Sequence, residues 1–127
     1  MTATEGRPLV LCADDDEDIL SLVSLRLERA GFDVVTAVDG EAAVELARAR
    51  RPALAVLDVM MPKLTGYEVL AALRGDADLR DTKVILLSAR VQESDVERGM
   101  DAGADAYLAK PFKAQDLVAQ VEALLAG

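Results

Sequence analysis

The chemistry open to this chain rests on three acidic positions. Asp14 and Asp15 follow the apolar run Leu9-Val10-Leu11-Cys12-Ala13, and Asp58 follows the apolar run Ala53-Leu54-Ala55-Val56-Leu57. If both runs are neighbouring parallel strands, all three carboxylates meet at one edge of one sheet. At roughly 4 Å and an effective dielectric of about 20, each pair of anions repels by on the order of 4 kcal/mol. A folded chain that keeps such a cluster needs a proton, a cation or a ligand to offset it. A hard divalent ion such as Mg2+ suits a set of oxygen donors. The acids therefore predict a Mg2+-dependent site with one carboxylate left free to react.

The elements that must bring these residues together can be read from apolar spacing. Strand-like runs occur at Leu9–Ala13, Val34–Ala37, Leu54–Leu57, Val84–Ser88 and Ala106–Ala109. The first, third and fourth are continuously apolar, as in a parallel sheet covered on both faces. Helical spacing recurs between them. Ile19, Val23 and Leu27 form one stripe, widened by Leu20 and Leu22. Ala43, Val44 and Leu46-Ala47 form a second, and Val69, Leu70 and Leu73 a third. Val96 and Met100 mark a weaker fourth, and Leu117, Val121 and Leu124 close the chain. Gly31 and Gly103 sit where helices should stop. Pro62 and Gly66 bracket a loop. Alternating strands and helices imply a parallel sheet with right-handed crossovers and helices on both faces. In such sheets ligands sit beyond the carboxyl ends of the strands, where the strand order reverses.

Four of the five strand ends carry a reactive group. They are Asp14-Asp15, Asp58, Ser88-Ala89 and Lys110-Pro111, whereas Val38-Asp39-Gly40 reads as a turn. Each is bland alone. Asp14 to Asp18 would cap a helix, with Asp16 to Asp18 expected to do so in any case. Ser88 would merely end a strand, and Lys110 would be a solvated lysine. Together they make a phosphoryl-transfer set. In that set Asp58 is expected to be the nucleophile that forms an aspartyl-phosphate. Asp15 ligates Mg2+, and Asp14 ligates it or holds a coordinated water. Lys110 and Ser88 bind phosphoryl oxygens as a cation and a hydroxyl donor.

Composition prunes the alternatives. The chain has 127 residues, enough for one domain, and is 52% hydrophobic but only 3% aromatic, so its core must be aliphatic. A formal charge of −9 argues against direct contact with nucleic acid or an anionic membrane. No run approaches the roughly 18 apolar residues of a membrane span. Histidine is absent, which removes Ser-His-Asp and Cys-His nucleophiles and ordinary zinc sites. Cys12 is the one cysteine and lies in an apolar run, as a small core residue would. These features fit a cytoplasmic protein.

Several motifs, taken in order, resemble the receiver domain of bacterial response regulators, the phospho-acceptor module of two-component signalling. They are Leu11-Cys12-Ala13-Asp14-Asp15-Asp16-Glu17-Asp18-Ile19, Leu57-Asp58-Val59-Met60-Met61-Pro62, Gly66-Tyr67-Glu68, Leu87-Ser88-Ala89 and Gly103-Ala104-Asp105-Ala106-Tyr107-Leu108-Ala109-Lys110-Pro111-Phe112. The match spans nearly the whole chain. It implies one receiver domain over 1–127, with 1–7 as a flexible N-terminal tail. It implies a flavodoxin-like five-stranded sheet of order 2-1-3-4-5. By this resemblance Asp58 takes a phosphoryl group from the phosphohistidine of a histidine kinase or phosphotransfer protein. Asp14, Asp15, Asp58 and the Met60 carbonyl hold Mg2+. Lys110 binds the phosphoryl group, and the Lys110-Pro111 bond is expected to be cis. Ser88 and Tyr107 form the switch, which reshapes the face of helix four, strand five and helix five for an effector protein or output domain.

By the resemblance, Met60 and Arg90 occupy positions that vary across this family and are expected to flank the route of the hydrolytic water, where they would tune this protein. A methionine at position 60 offers the hydrolytic water no useful hydrogen bond, so a persistent phosphoryl group is expected. Ala106 and a last helix without arginine depart from the pattern of receivers joined to winged-helix DNA-binding domains. That branch's charged dimer interface is therefore not expected, and the chain should be a monomer or a weak phosphorylation-dependent dimer. Two other readings compete. One is a Mg2+-dependent aspartyl-phosphate phosphatase, which would need a larger domain and a cap over its substrate. The other is a degenerate receiver that only binds, against which the intact set of reactive residues argues.

Overall fold

Continuous apolar runs can feed two cores at once, because successive strand residues point to opposite faces of a sheet. The computed structural model, which describes residues 7–89 and 92–126, is built this way. Its elements are β1 (Leu9–Ala13), α1 (Glu17–Arg29), β2 (Asp33–Ala37), α2 (Gly40–Arg50), β3 (Leu54–Asp58), α3 (Gly66–Arg74), β4 (Lys83–Ser88), α4 (Glu93–Asp101), β5 (Ala106–Ala109) and α5 (Ala114–Leu125). The strands form one parallel sheet in the order β2-β1-β3-β4-β5, as the resemblance implied. Leu11, Ala55, Leu57, Val84 and Leu86 face α2 and α3. Val10, Cys12, Val56, Ile85 and Leu87 face α1 and α5. Burying each such leucine or isoleucine stabilises the fold by about 2 kcal/mol before chain entropy is counted. Burial also pushes the Cys12 thiol up to about 12, so it stays protonated and inert as a core residue.

Local chemistry sets the helix ends. The Asp16 carboxylate caps α1 by accepting from the backbone of Asp18 and Ile19, while Glu17 and Asp18 occupy the first turn. Thr65 and Glu68 form a reciprocal capping box at α3. Gly31 and Gly103 take φ values of 103° and 107°, which stop α1 and α4 at the predicted residues. Val38-Asp39-Gly40 is not a simple turn. Asp39 caps α2 by accepting from the Ala42 N–H at 2.8 Å, so the carboxylate's affinity for a helix N-terminus prevails. Two apolar residues also depart from expectation. Leu22 is 50% exposed because two residues beyond Leu20 the helix has turned more than half a circle. Met100 is 43% exposed, and Gly99 is the residue α4 buries instead. Residues 1–6 of the expected tail lie outside the described residues, and Arg7 contacts the body of the domain. It donates to Phe32 O at 3.0 Å and pairs with Asp33 at 3.2 Å.

Arg74, at the end of α3, ties the α3–β4 and α4–β5 connections together at the amino edge of the sheet. It donates to the carbonyls of Thr82 (2.7 Å), Gly103 (2.8 Å) and Arg80 (3.1 Å), and pairs with Asp105 at 3.1 Å. Asp105 in turn accepts from the Val84 N–H at 2.8 Å. Removing the guanidinium leaves the part-buried Thr82 and Gly103 carbonyls and the Asp105 carboxylate without their donor. Arg74→Ala is expected to lower stability by about 2 kcal/mol in a urea titration. An unchanged midpoint would show that the brace contributes nothing.

Candidate functional site

The parallel register carries the reactive residues to one edge. Ala13 lies beside Leu57, so the next positions, Asp14 and Asp58, leave neighbouring strands side by side. Asp58 lies beside Leu87, and Ser88 beside Ala109, which places Lys110 next in line. Backbone bonds extend this edge. Asp14 N donates to Ala37 O (3.1 Å), Val59 N to Leu87 O (2.9 Å) and Lys110 N to Ser88 O (2.8 Å). The Lys110-Pro111 peptide bond is cis.

Asp14, Asp15 and Asp58 converge, with one carboxylate oxygen from each lying within 4.8 Å of the others. Asp14 and Asp58 are buried, and Asp15 is exposed. Asp14 Oδ1 accepts from the Asp16 N–H at 3.0 Å, and Asp58 Oδ1 accepts from the Met60 N–H at 3.2 Å. Both Oδ2 atoms face Lys110, whose Nζ lies 2.7 Å from Asp14 and 3.3 Å from Asp58. Asp14 Oδ2 is buried and has no partner of hydrogen-bond geometry beyond that ion pair among the described residues. A hard oxygen-donor set with an incompletely satisfied buried oxygen fits a divalent cation.

Burial pushes the Asp58 carboxyl above its usual range, and the Asp14 charge pushes it further. Lys110 and the Met60 N–H oppose that rise without cancelling it. Burial works against the Lys110 ammonium, but the two carboxylates outweigh it and hold its pKa above the ordinary value. Lys110 therefore stays charged throughout the physiological range. Ionised Asp58 costs stability, since its folded pKa exceeds the unfolded one. That cost is present at neutral pH and is relieved as pH falls through the folded value. Asp58→Asn should accordingly stabilise the cation-free protein by about 1 kcal/mol at pH 7. The gain should shrink on acidification toward the ordinary carboxylate range. Thermal melts across that range check it, and a pH-independent difference would exclude the charge as its source.

Ser88 is buried at the end of β4, and Tyr107 is half-buried on β5. Both line one cavity of about 170 Å3, together with Met60, Thr65, Tyr67 and Arg98. The Met60 side chain is 69% exposed at its rim. Arg90, the second tuning position, lies outside the described residues. Sequence reasoning gave no role to Tyr67, Arg98 or Gly99, all of which stand around Tyr107. The signal for Tyr67 lies in composition: the chain has two tyrosines and no tryptophan, and Tyr67 sits inside the Gly66-Tyr67-Glu68 motif.

Comparison with known proteins agrees with this geometry. The family model for the response regulator receiver domain matches residues 10–122. The DNA-binding dual master transcriptional regulator RpaA of Synechocystis is 46% identical over 93% of this chain and 49% of its own length. The transcriptional regulatory protein PrrA of Mycobacterium tuberculosis is 48% identical over 93% of this chain and 50% of its own. The chain thus spans about half the length of the curated relatives it matches. Among solved structures, the chemotaxis response regulator CheY4 of Vibrio cholerae superposes with a TM-score of 0.89 at 32% identity, covering 94% of this chain and 99% of that one. The BeF3-activated DrrB receiver domain gives 0.85 at 34% identity, covering 95% and 99%. With the fold, the strand-end residues and the family model in agreement, this chain belongs to the response regulator receiver domain family.

Proposed function

We propose that the chain takes a phosphoryl group from the phosphohistidine of a histidine kinase or phosphotransfer protein onto Asp58. The observation that carries this reading is the convergence of Asp14, Asp15 and Asp58 around the Lys110 ammonium. An Asp58 oxygen forms the new bond to phosphorus as the bond from phosphorus to the donor imidazole nitrogen breaks. Lys110 supplies a fixed positive charge for the phosphoryl oxygens, and Ser88 supplies a hydroxyl donor at the neighbouring strand end. Met60 N–H orients the attacking carboxylate through Oδ1. Asp14, Asp15, Asp58 and the Met60 carbonyl are the residues that would hold Mg2+. When bound, that ion neutralises the acids and polarises the phosphoryl group.

The direct partners in this reading are the phosphoryl donor and an effector protein or output domain that reads the face of α4, β5 and α5. A charge of −9 makes the domain itself a poor ligand for nucleic acid. Among the described residues no helix is long and apolar enough to cross a membrane. A cytoplasmic setting belongs to the same proposal.

Incubation with acetyl phosphate or phosphoramidate and Mg2+ should add one phosphoryl group, read by intact-mass spectrometry. Asp58→Ala should add none. Steady hydrolysis of many equivalents of a phosphate ester would favour a phosphatase instead, and an unmodified wild type would overturn the reading. The exposed Met60 side chain offers no hydrogen bond to a hydrolytic water. Met60→Asn is expected to shorten the phosphoryl half-life by about tenfold, the scale of one added hydrogen bond to the attacking water. A dephosphorylation time course without acceleration would remove Met60 from that role.

A further inference from the structure

The two tyrosines of this chain meet at one place. Tyr107 stands on β5, and Tyr67 stands in the first turn of α3, directly after the segment that begins at Asp58. Burial pushes the Tyr67 phenol above its usual range, and hydrogen bonding to Tyr107 adds to the rise. The Tyr67 hydroxyl also approaches the Asp95 carbonyl at 3.5 Å. The Arg98 guanidinium lies 4.3 Å from the centroid of the Tyr67 ring, within cation–π range. Tyr67 therefore touches β5 on one side and α4 on the other.

Gly99 completes the arrangement. It is the residue that α4 buries, and a Cβ there would stand 2.9 Å and 3.1 Å from the Tyr107 ring and 3.1 Å from Leu86 Cδ1. A separation under 3.0 Å forces something to move. The Tyr107 ring thus occupies a notch that exists because residue 99 has no side chain. With no larger buried side chain of its own, α4 is seated largely through what fills that notch.

We propose that Tyr67 is a positioning residue for Tyr107. With Arg98 it holds the Tyr107 ring in the Gly99 notch, and so joins the segment leaving Asp58 to the seat of α4. Ser88 and Tyr107 line the same cavity, so the pair of rings connects the carboxyl edge of β4 to the outer helix. Any change at Asp58 that favours one setting of that cavity is then felt by α4 through two aromatic contacts. The signalling use of this arrangement rests on the phospho-acceptor reading, whereas the contact between the rings does not.

Because the chain has no tryptophan, its near-ultraviolet circular dichroism in the tyrosine band reports on these two rings alone. The spectra of wild type, Tyr67→Phe and Tyr107→Phe test the contact without any phosphoryl donor. If each ring fixes the other, the two single-variant bands should sum to about half of the wild-type band or less. Bands that sum to the wild-type value overturn the positioning role. Gly99→Ala should cost a similar share of the band with the far-ultraviolet spectrum unchanged, and if that variant does not fold, the band sum of the two tyrosine variants decides. Beryllofluoride with Mg2+, a phosphoryl mimic, tests the coupling. Its apparent affinity should fall about fivefold in Tyr67→Phe, the scale of one lost hydrogen bond. Unchanged affinity overturns the coupling. A wild type that ignores beryllofluoride counts against the phospho-acceptor reading, while the band sums still decide the contact.

Discussion

One ammonium held between two buried carboxylates is the constraint on which the molecule turns. Asp14 and Asp58 are nearly sealed from solvent, and each would repel the other strongly without Lys110. Burying such a set does not stabilise the fold, because desolvation of three ions offsets their mutual attraction. The raised pKa of Asp58 records the imbalance that remains. A cation brought to this cluster would offset the repulsion that Lys110 leaves uncompensated.

The scaffold has to hold this unfavourable arrangement rigidly, and its parts are disposed to do so. A parallel sheet sends every strand end to the same edge, so four separate segments deliver their side chains without long loops. Both faces of the sheet are closed by aliphatic cores. Helix caps at Asp16, Asp39 and Thr65 start three helices directly beyond that edge. The opposite edge carries the Arg74 brace, where hydrogen bonds are satisfied rather than left open. Stability and reactivity are thus separated along the strand direction.

The helices are not held equally. α1, α2, α3 and α5 bury several aliphatic side chains each, whereas α4 buries Gly99. Few buried apolar contacts mean a low cost of displacement. The element most easily moved is therefore the one packed on Tyr107, and the stack of Arg98 on Tyr67 gives it a second, polar attachment. A weakly seated helix beside a rigid acidic site gives the fold one face that shifts at low cost.

Most of the architecture was legible from residue order. Five apolar runs, the stops at Gly31 and Gly103 and the acids after the first and third runs required only local stereochemistry and the period of each element. The misreadings were local contests. Asp39-Gly40 could turn or cap, and the helix won; Leu22 and Met100 lay near a stripe but on the wrong side of it. Which acids share Lys110, and that Arg98 lies over Tyr67 while Tyr107 fills the space beside Gly99, belonged to tertiary structure alone. Those contacts join segments far apart in the chain, and no spacing rule encodes a distance that depends on how sheets twist and helices settle. Which residues stand at the strand ends was thus written in the sequence, and their mutual geometry was decided by packing.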